Sequence, residues 1–298
     1  TFSGIADKFK TAVSGAKRII MTGCGTAYHA ALIGKRYFES FASIPVEVET
    51  AGEFRYKDPL INEDTVLFAI SQSGETADTV EAARLARSRG AKIVAVTNSH
   101  RSQLNRIADI VVPVAAGPEI CVAATKSYTG QITALYLCAL AFAGKDDGGI
   151  IEYAAGLCRD VVKNTNVDKL AHMCARSRGT YFMGRDLDYA VALEGSLKLK
   201  EISYVPGDGY PAGELKHGTL ALIDRRTVSV FVITDKELAG KSGNAVEQVI
   251  SRGGKVAVVT NVKGLELPQG VSEVITIPEC DKFLSPLLSV IVLQYLAY

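Results

Sequence analysis

The sequence predicts an α/β protein of two tandem domains, each built on a doubly wound parallel sheet, related by internal duplication. Three observations carry this expectation. The chain has 298 residues, a length that suits two units of about 150 better than one. Short apolar runs rich in β-branched residues alternate with helical patterns along it. Three stretches also recur, in the same order and at nearly constant spacing.

The recurrence is specific. Gly23, Tyr28, Ala31, Leu32 and Gly34 return 161 positions later as Gly184, Tyr189, Ala192, Leu193 and Gly195. Ala51-Gly52-Glu53 returns as Ala212-Gly213-Glu214 at the same offset. Ser88 to Val94 is matched by Ser251 to Ala257, offset by 163, and Val-Thr-Asn closes both stretches.

In the first half, Arg18 to Thr22, Val46 to Thr50, Thr65 to Ile70, Lys92 to Thr97 and Ile110 to Val114 read as buried parallel strands. Ala27 to Ser40 and Thr76 to Arg89 read as helices between them, and Tyr128 to Ala143 as a buried helix ended by Gly144. The second half repeats the pattern, with strands near Thr180 to Met183, Val228 to Ile233, Lys255 to Thr260 and Val274 to Ile277. The polar stretch Gly144 to Gly149 is the expected linker, giving domains 1–146 and 147–298. In open α/β sheets ligands sit beyond the carboxyl ends of the strands, so chemistry belongs in the strand-to-helix loops.

Composition narrows the function classes. A net charge of +1 supplies no overall field toward nucleic acid or an anionic membrane. No apolar run approaches the ~20 residues that span a bilayer, and the N-terminal stretch lacks a secretory apolar core. Cys24, Cys121, Cys138, Cys158, Cys174 and Cys280 are scattered, which suits reduced thiols in a cytoplasmic protein. His29, His100, His172 and His217 do not pair at metal-ligand spacing, so no metal site is expected.

Ser71-Gln72-Ser73-Gly74-Glu75-Thr76 follows a strand and opens a helix. Three hydroxyls and a glycine at a helix N-terminus suit a monophosphate; the lysine of a triphosphate loop is missing. The plainer reading is N-capping by Ser73 or Thr76. Gly23-Cys24-Gly25-Thr26 is a second such loop. It begins like a dinucleotide fingerprint but has Tyr28 at the third glycine position, with Glu47 or Glu49 placed like a ribose-binding acid. A sugar-binding turn fits as well.

The second half lacks the hydroxyl loop; the matching stretch is Thr234-Asp235-Lys236-Glu237. Ala190 to Tyr204 reads as a helix instead, with Glu194, Lys198 and Glu201 at i, i+4 and i+7 on one face. An ammonium between two carboxylates can hold one of them ionised as a general base. The plainer reading is a solvated, salt-bridged face. A glycine-rich loop, Pro206 to Gly218, follows and carries His217, a residue type suited to proton transfer near neutral pH.

Together these residues resemble the sugar isomerase (SIS) family. The likeness covers nearly the whole chain and rests on Gly23 to Thr26, Ser71 to Thr76, Leu193 to Tyr204 and Gly213 to Gly218. The last two motifs resemble the isomerase half of the glucosamine-6-phosphate synthases in particular. The resemblance implies a flavodoxin-like fold and a dimer. It implies that Ser71, Gln72, Ser73 and Thr76 bind the phosphate of fructose 6-phosphate, and that Cys24, Gly25, Thr26 and Val122 line the sugar. Glu201 is then the base between C1 and C2, supported by Lys198 and Glu194. His217 assists ring opening, reaching the site of the partner subunit. Glucosamine 6-phosphate is the implied product, glucose 6-phosphate a further ligand, and no cofactor is needed.

Three departures qualify these expectations. The family usually has serine where this chain has Ala27 and Ala124. Its lysine-bearing tail continues past the position of Tyr298, and its glutamine-hydrolysing domain has no counterpart after Thr1. The chain is therefore expected to be part of a larger enzyme, unable by itself to use glutamine. Other readings are a fructosamine-phosphate deglycase, a keto–aldo sugar-phosphate isomerase, a non-enzymatic sugar-phosphate sensor or a dinucleotide-binding enzyme.

Overall fold

A computed structural model describes residues 2–298. The chain divides into two compact units, the first ending at Gly149 and the second beginning at Ile150.

The first unit holds strands β1 (Arg18–Gly23), β2 (Val46–Thr50), β3 (Thr65–Ser71), β4 (Lys92–Thr97) and β5 (Ile110–Pro113). Its helices are α1 (Ala6–Ala12), α2 (Thr26–Ala42), α3 (Ala51–Phe54), α4 (Ala77–Ser88), α5 (Gln103–Ile107) and α6 (Lys126–Phe142). The second unit holds α7 (Ile150–Asn164), α8 (Asp168–Ala175), α9 (Leu187–Ser203), α10 (Ala239–Ser251) and α11 (Ser285–Ala297). Its strands are β6 (Gly179–Gly184), β7 (Gly207–Pro211), β8 (Thr227–Ile233), β9 (Lys255–Thr260) and β10 (Glu273–Thr276).

Each unit contains one five-stranded sheet with every recorded pairing parallel. The orders are β2-β1-β3-β4-β5 and β7-β6-β8-β9-β10. They are the same order once each strand is matched to its copy, so the duplication read from sequence is a duplication of topology.

The central strands β3 and β8 are buried over their full length, which explains their continuous rather than alternating apolar character. In the first unit Val80, Ala83 and Ala86 of α4 cover one face of the sheet, meeting Leu67, Ala69 and Ile93. Phe38 of α2 packs edge-on against Phe68 of β3, with ring centroids 5.1 Å apart. A fully buried phenylalanine of this kind stabilises by roughly 2–3 kcal/mol.

The expected strands lie where the sequence placed them, within a residue or two at their ends. Two expectations in the second unit fail. Gly207–Pro211, inside the expected loop Pro206 to Gly218, forms β7, an edge strand, where proline and glycine are tolerated. Thr219 to Ile223, an apolar stretch with the look of a strand, instead forms a 3-10 turn over Thr219–Leu222.

Candidate functional site

In the first unit the hydroxyl loop leaves the carboxyl end of β3. The buried Ser71 hydroxyl accepts the Gly74 N–H at 3.0 Å and lies 3.0 Å from the Thr76 hydroxyl. Ser73 Oγ accepts the Glu75 N–H at 3.1 Å, and the Gln72 carbonyl accepts the Asn98 N–H at 3.1 Å. Gly74 takes φ +68, and a Cβ there would lie 2.2 Å from Ser102 Oγ, so only glycine fits this turn. Glu75 bonds the Gln103 side chain at 2.8 Å and backbone N–H at 2.9 Å, and these contacts lower its pKa. Its negative charge is thereby tied to α5.

Thr76 is the N-cap of α4 but makes no side-chain capping bond. The plain capping reading therefore fails for Thr76, whose hydroxyl faces Ser71 across the loop instead. Hydroxyls gathered at the positive end of a helix dipole make a cradle suited to a small anion.

The neighbouring loop places Gly25 as the N-cap of α2 with φ +53, ψ −122, a glycine conformation. Gly25 is exposed and Thr26 half-buried, while Cys24 packs against the core, its Sγ 4.0 Å from Thr79 Oγ1. Glu47 is ion-paired with Arg18 and Glu49 with Lys57, so both acids of the dinucleotide reading already have partners. Val122 stands 96% exposed in the loop before α6. Glu119, which sequence reasoning passed over, pins the ends of that loop. Its carboxylate takes the Ser127 hydroxyl and N–H at 2.6 and 3.0 Å, and the Thr125 hydroxyl and N–H at 3.3 Å each.

In the second unit α9 carries the charged group. Glu194 and Lys198 are both 0% exposed, with Nζ 3.4 Å from Glu194 Oε1. Lys198 also bonds Glu201, whose side chain keeps 29% exposure. A solvated salt-bridged face is excluded by this burial. Desolvating an unpaired ammonium and carboxylate would cost several kcal/mol each, so the pair must be matched. Gly195 makes room for the packing: a Cβ there would lie 2.4 Å from Leu293 Cδ1 of α11. Buried charge on one side and a tightly packed neighbour on the other leave Glu201 held at the partly open end of the row.

His217 closes the 3-10 turn Ala212–His217 and is exposed, as are Glu214 and Lys216. It thus sits on a short helical turn rather than the open loop expected. Leu215 and Ala212 anchor that turn in the core. The guanidinium of Arg185 presses on the turn, 3.1 Å from where a Cβ of Gly213 would be. Among the described residues no group of three or more His, Cys, Asp or Glu side chains could hold a metal ion. No helix among them is long and apolar enough to cross a membrane.

Comparison with known proteins matches the SIS domain over residues 12–141 and again over 173–298. Glutamine–fructose-6-phosphate aminotransferase [isomerizing] of Caldanaerobacter subterraneus subsp. tengcongensis is 45% identical over 293 residues, 95% of this chain and 48% of its own length. The protein of the same name from Methanosarcina acetivorans is 41% identical over 94% of this chain and 47% of its own. The chain thus spans about half the length of the curated relatives it matches. Among solved structures, the C-terminal domain of glucosamine-fructose-6-phosphate aminotransferase from Francisella tularensis superposes with a TM-score of 0.92. It is 35% identical, and the match covers 98% of this chain and 85% of that one. Tagatose-6-phosphate ketose/aldose isomerase from Escherichia coli shares the fold, with a TM-score of 0.84 at 15% identity.

Proposed function

This chain belongs to the SIS domain family, and on that premise we propose that it is the isomerase half of a glutamine–fructose-6-phosphate aminotransferase. The observation that carries the reading is the buried Lys198 between Glu194 and Glu201. A charged row of this kind is costly to bury, and general-base chemistry gives it a use.

In this reading Ser71, Gln72, Ser73 and Thr76 take the phosphate of fructose 6-phosphate, and Cys24, Gly25, Thr26 and Val122 face the sugar. Lys198 keeps Glu201 ionised and oriented. Once ammonia has condensed with the ketose carbonyl, Glu201 removes the proton from C1 and returns it at C2, giving glucosamine 6-phosphate. The substrate's own imine takes up the electron pair, so this route calls for no metal or organic cofactor. His217 handles the ring-oxygen proton, within a homodimer. Ammonia comes from a glutaminase domain of the complete cytoplasmic enzyme.

The test is calorimetric titration with fructose 6-phosphate, with fructose and NAD as controls, followed by proton exchange at C1 in deuterated water. Fructose 6-phosphate alone should bind. Binding of NAD in its place would overturn the reading.

A further inference from the structure

The two units fill one matching place, beside the ends of β1 and β6, with different side chains. Gly23 and Gly184 end matching strands β1 and β6. A Cβ on Gly23 would lie 2.9 Å from the Cβ of Ala27, and one on Gly184 would lie 2.3 Å from the carbonyl carbon of Asp188. Ala27 and Asp188 therefore occupy the same place in the two copies, each the second residue of its helix, α2 or α9. Ala27 presents a methyl group to that place. Asp188 presents a carboxyl group that is only 5% exposed.

The Asp188 carboxyl is bound as an anionic ligand would be. Oδ2 accepts the Thr234 N–H at 2.8 Å, Oδ1 takes the Thr234 hydroxyl, and the backbone of Asp235 adds a further bond. Thr234 Oγ1 also reaches Ser285 Oγ at 2.8 Å, and Ser285 donates to the Lys282 carbonyl at 2.8 Å. The charged groups around this place are Arg185 and Asp186 before α9, Asp235 after β8 and Lys282 before α11. Lys282 lies 3.8 Å from Asp235, and the Nε of Arg185 is buried without a hydrogen-bond partner. Thr234 and Asp235 correspond in sequence to Gln72 and Ser73 of the first unit's hydroxyl loop.

We propose that Asp188 is a built-in anion that occupies the second unit's copy of the ligand pocket, so that each chain takes one phosphate-bearing ligand and not two. The inference rests on the reading of the first unit's loop given above, but it is measured as a difference between variants. In that difference the two readings separate.

The experiment counts inorganic phosphate bound per chain, in wild type and in Asp188→Ala, with folding checked by circular dichroism. Asp188→Ala should bind one more phosphate than wild type, weakly, with Kd on the order of 1–10 mM. Asp188→Asn, which fills the same space, should bind no extra phosphate. Equal counts in wild type and a folded Asp188→Ala, or two phosphates in wild type, would overturn the proposal. Should the alanine variant not fold, Asp188→Ser makes the same comparison. The Thr234 amide resonance of wild type provides a further check: it should stay fixed while phosphate saturates the first unit, and a shift there overturns the proposal. If wild type binds none and Asp188→Ala binds one, the built-in anion stands and the function proposed for Ser71 to Thr76 falls.

Discussion

At the carboxyl end of its middle strand, each unit faces the same problem of unpaired backbone donors beside a helix start. The first unit answers with small hydroxyls: those of Ser71 and Thr76 bond each other, and that of Ser73 accepts the Glu75 N–H. The second answers with Asp188, a carboxylate supplied by the neighbouring helix. The difference extends to the helices. In the first copy α2 pairs Lys35 and Arg36 with Glu39, side chains that all remain about a third exposed. In the second copy α9 buries Glu194 and Lys198 completely. On the function proposed above, the two copies divide the labour: the hydroxyl loop of the first takes the anion, and the buried charged row of the second moves the proton.

The comparison breaks most visibly at Glu201. Glu201→Gln should lower proton exchange at C1 by about 10³-fold or more while leaving fructose 6-phosphate binding within about threefold. Ser73→Ala with Thr76→Val should do the reverse, weakening binding by about tenfold or more. If both variants lost binding and exchange alike, the division between copies would be wrong.

A stability effect comes next. Lys198→Met leaves Glu194 buried without its ammonium and should cost about 3–5 kcal/mol in urea unfolding. No comparable loss is expected in the first copy for Lys35→Met, because Lys35 is only in a surface pair with Glu39.

The pH dependence sharpens the contrast further. Burial, opposed by the Thr234 hydrogen bonds and raised again by nearby Asp235, lifts the Asp188 pKa from 3.8 to about 6. Because the folded pKa is the higher one, its contribution is fully present below pH 3.8 and is lost as pH rises through about 6. The loss is on the order of 3 kcal/mol. Asp186, Arg185 and Lys282 also face this group and set its exact course. Urea midpoints between pH 4 and 7 should therefore fall less steeply in Asp188→Asn than in wild type. Parallel curves would show that Asp188 does not titrate there.

The smallest effect concerns the backbone. Asp186 adopts φ 53, ψ −122, the same angles as its first-copy counterpart Gly25. A side chain there is strained by about 1–2 kcal/mol. Asp186→Gly should raise the melting temperature by about 2–4 °C per kcal/mol recovered. A fall would mean that contacts of the Asp186 side chain outweigh the strain.

Much of this was legible in the sequence. Continuous apolar runs such as Thr65–Ser71 mark strands covered on both faces, and the Glu194, Lys198, Glu201 spacing marks one helix face. What spacing could not show was burial, which turned an ordinary salt-bridged face into a costly charged row. β7 escaped because Gly-Asp-Gly-Tyr-Pro carries no strand propensity, although the offset of 161 maps it onto Val46–Thr50. The same offset pairs Ala27 with Asp188, a signal present but unread. Glu119 left no such trace: its partners Thr125 and Ser127 come together only through the fold of the loop.

The strand order itself has a consequence for solubility. Both sheets end in short outer strands, β2 and β5 in one and β7 and β10 in the other, each four or five residues long. Glu47 and Glu49 lie on β2, Asp208 on β7 and Glu273 on β10, while Pro113 and Pro211 close β5 and β7. Outer strands this brief, charged or stopped by proline make poor templates for another chain's strands. The apolar inner strands, by contrast, are rich in Val and Ile and would pair readily if freed. Protection from intermolecular sheet growth therefore resides in the rims of the two sheets, and shortening or neutralising a rim would endanger the protein in the crowded cell before it harmed the chemistry.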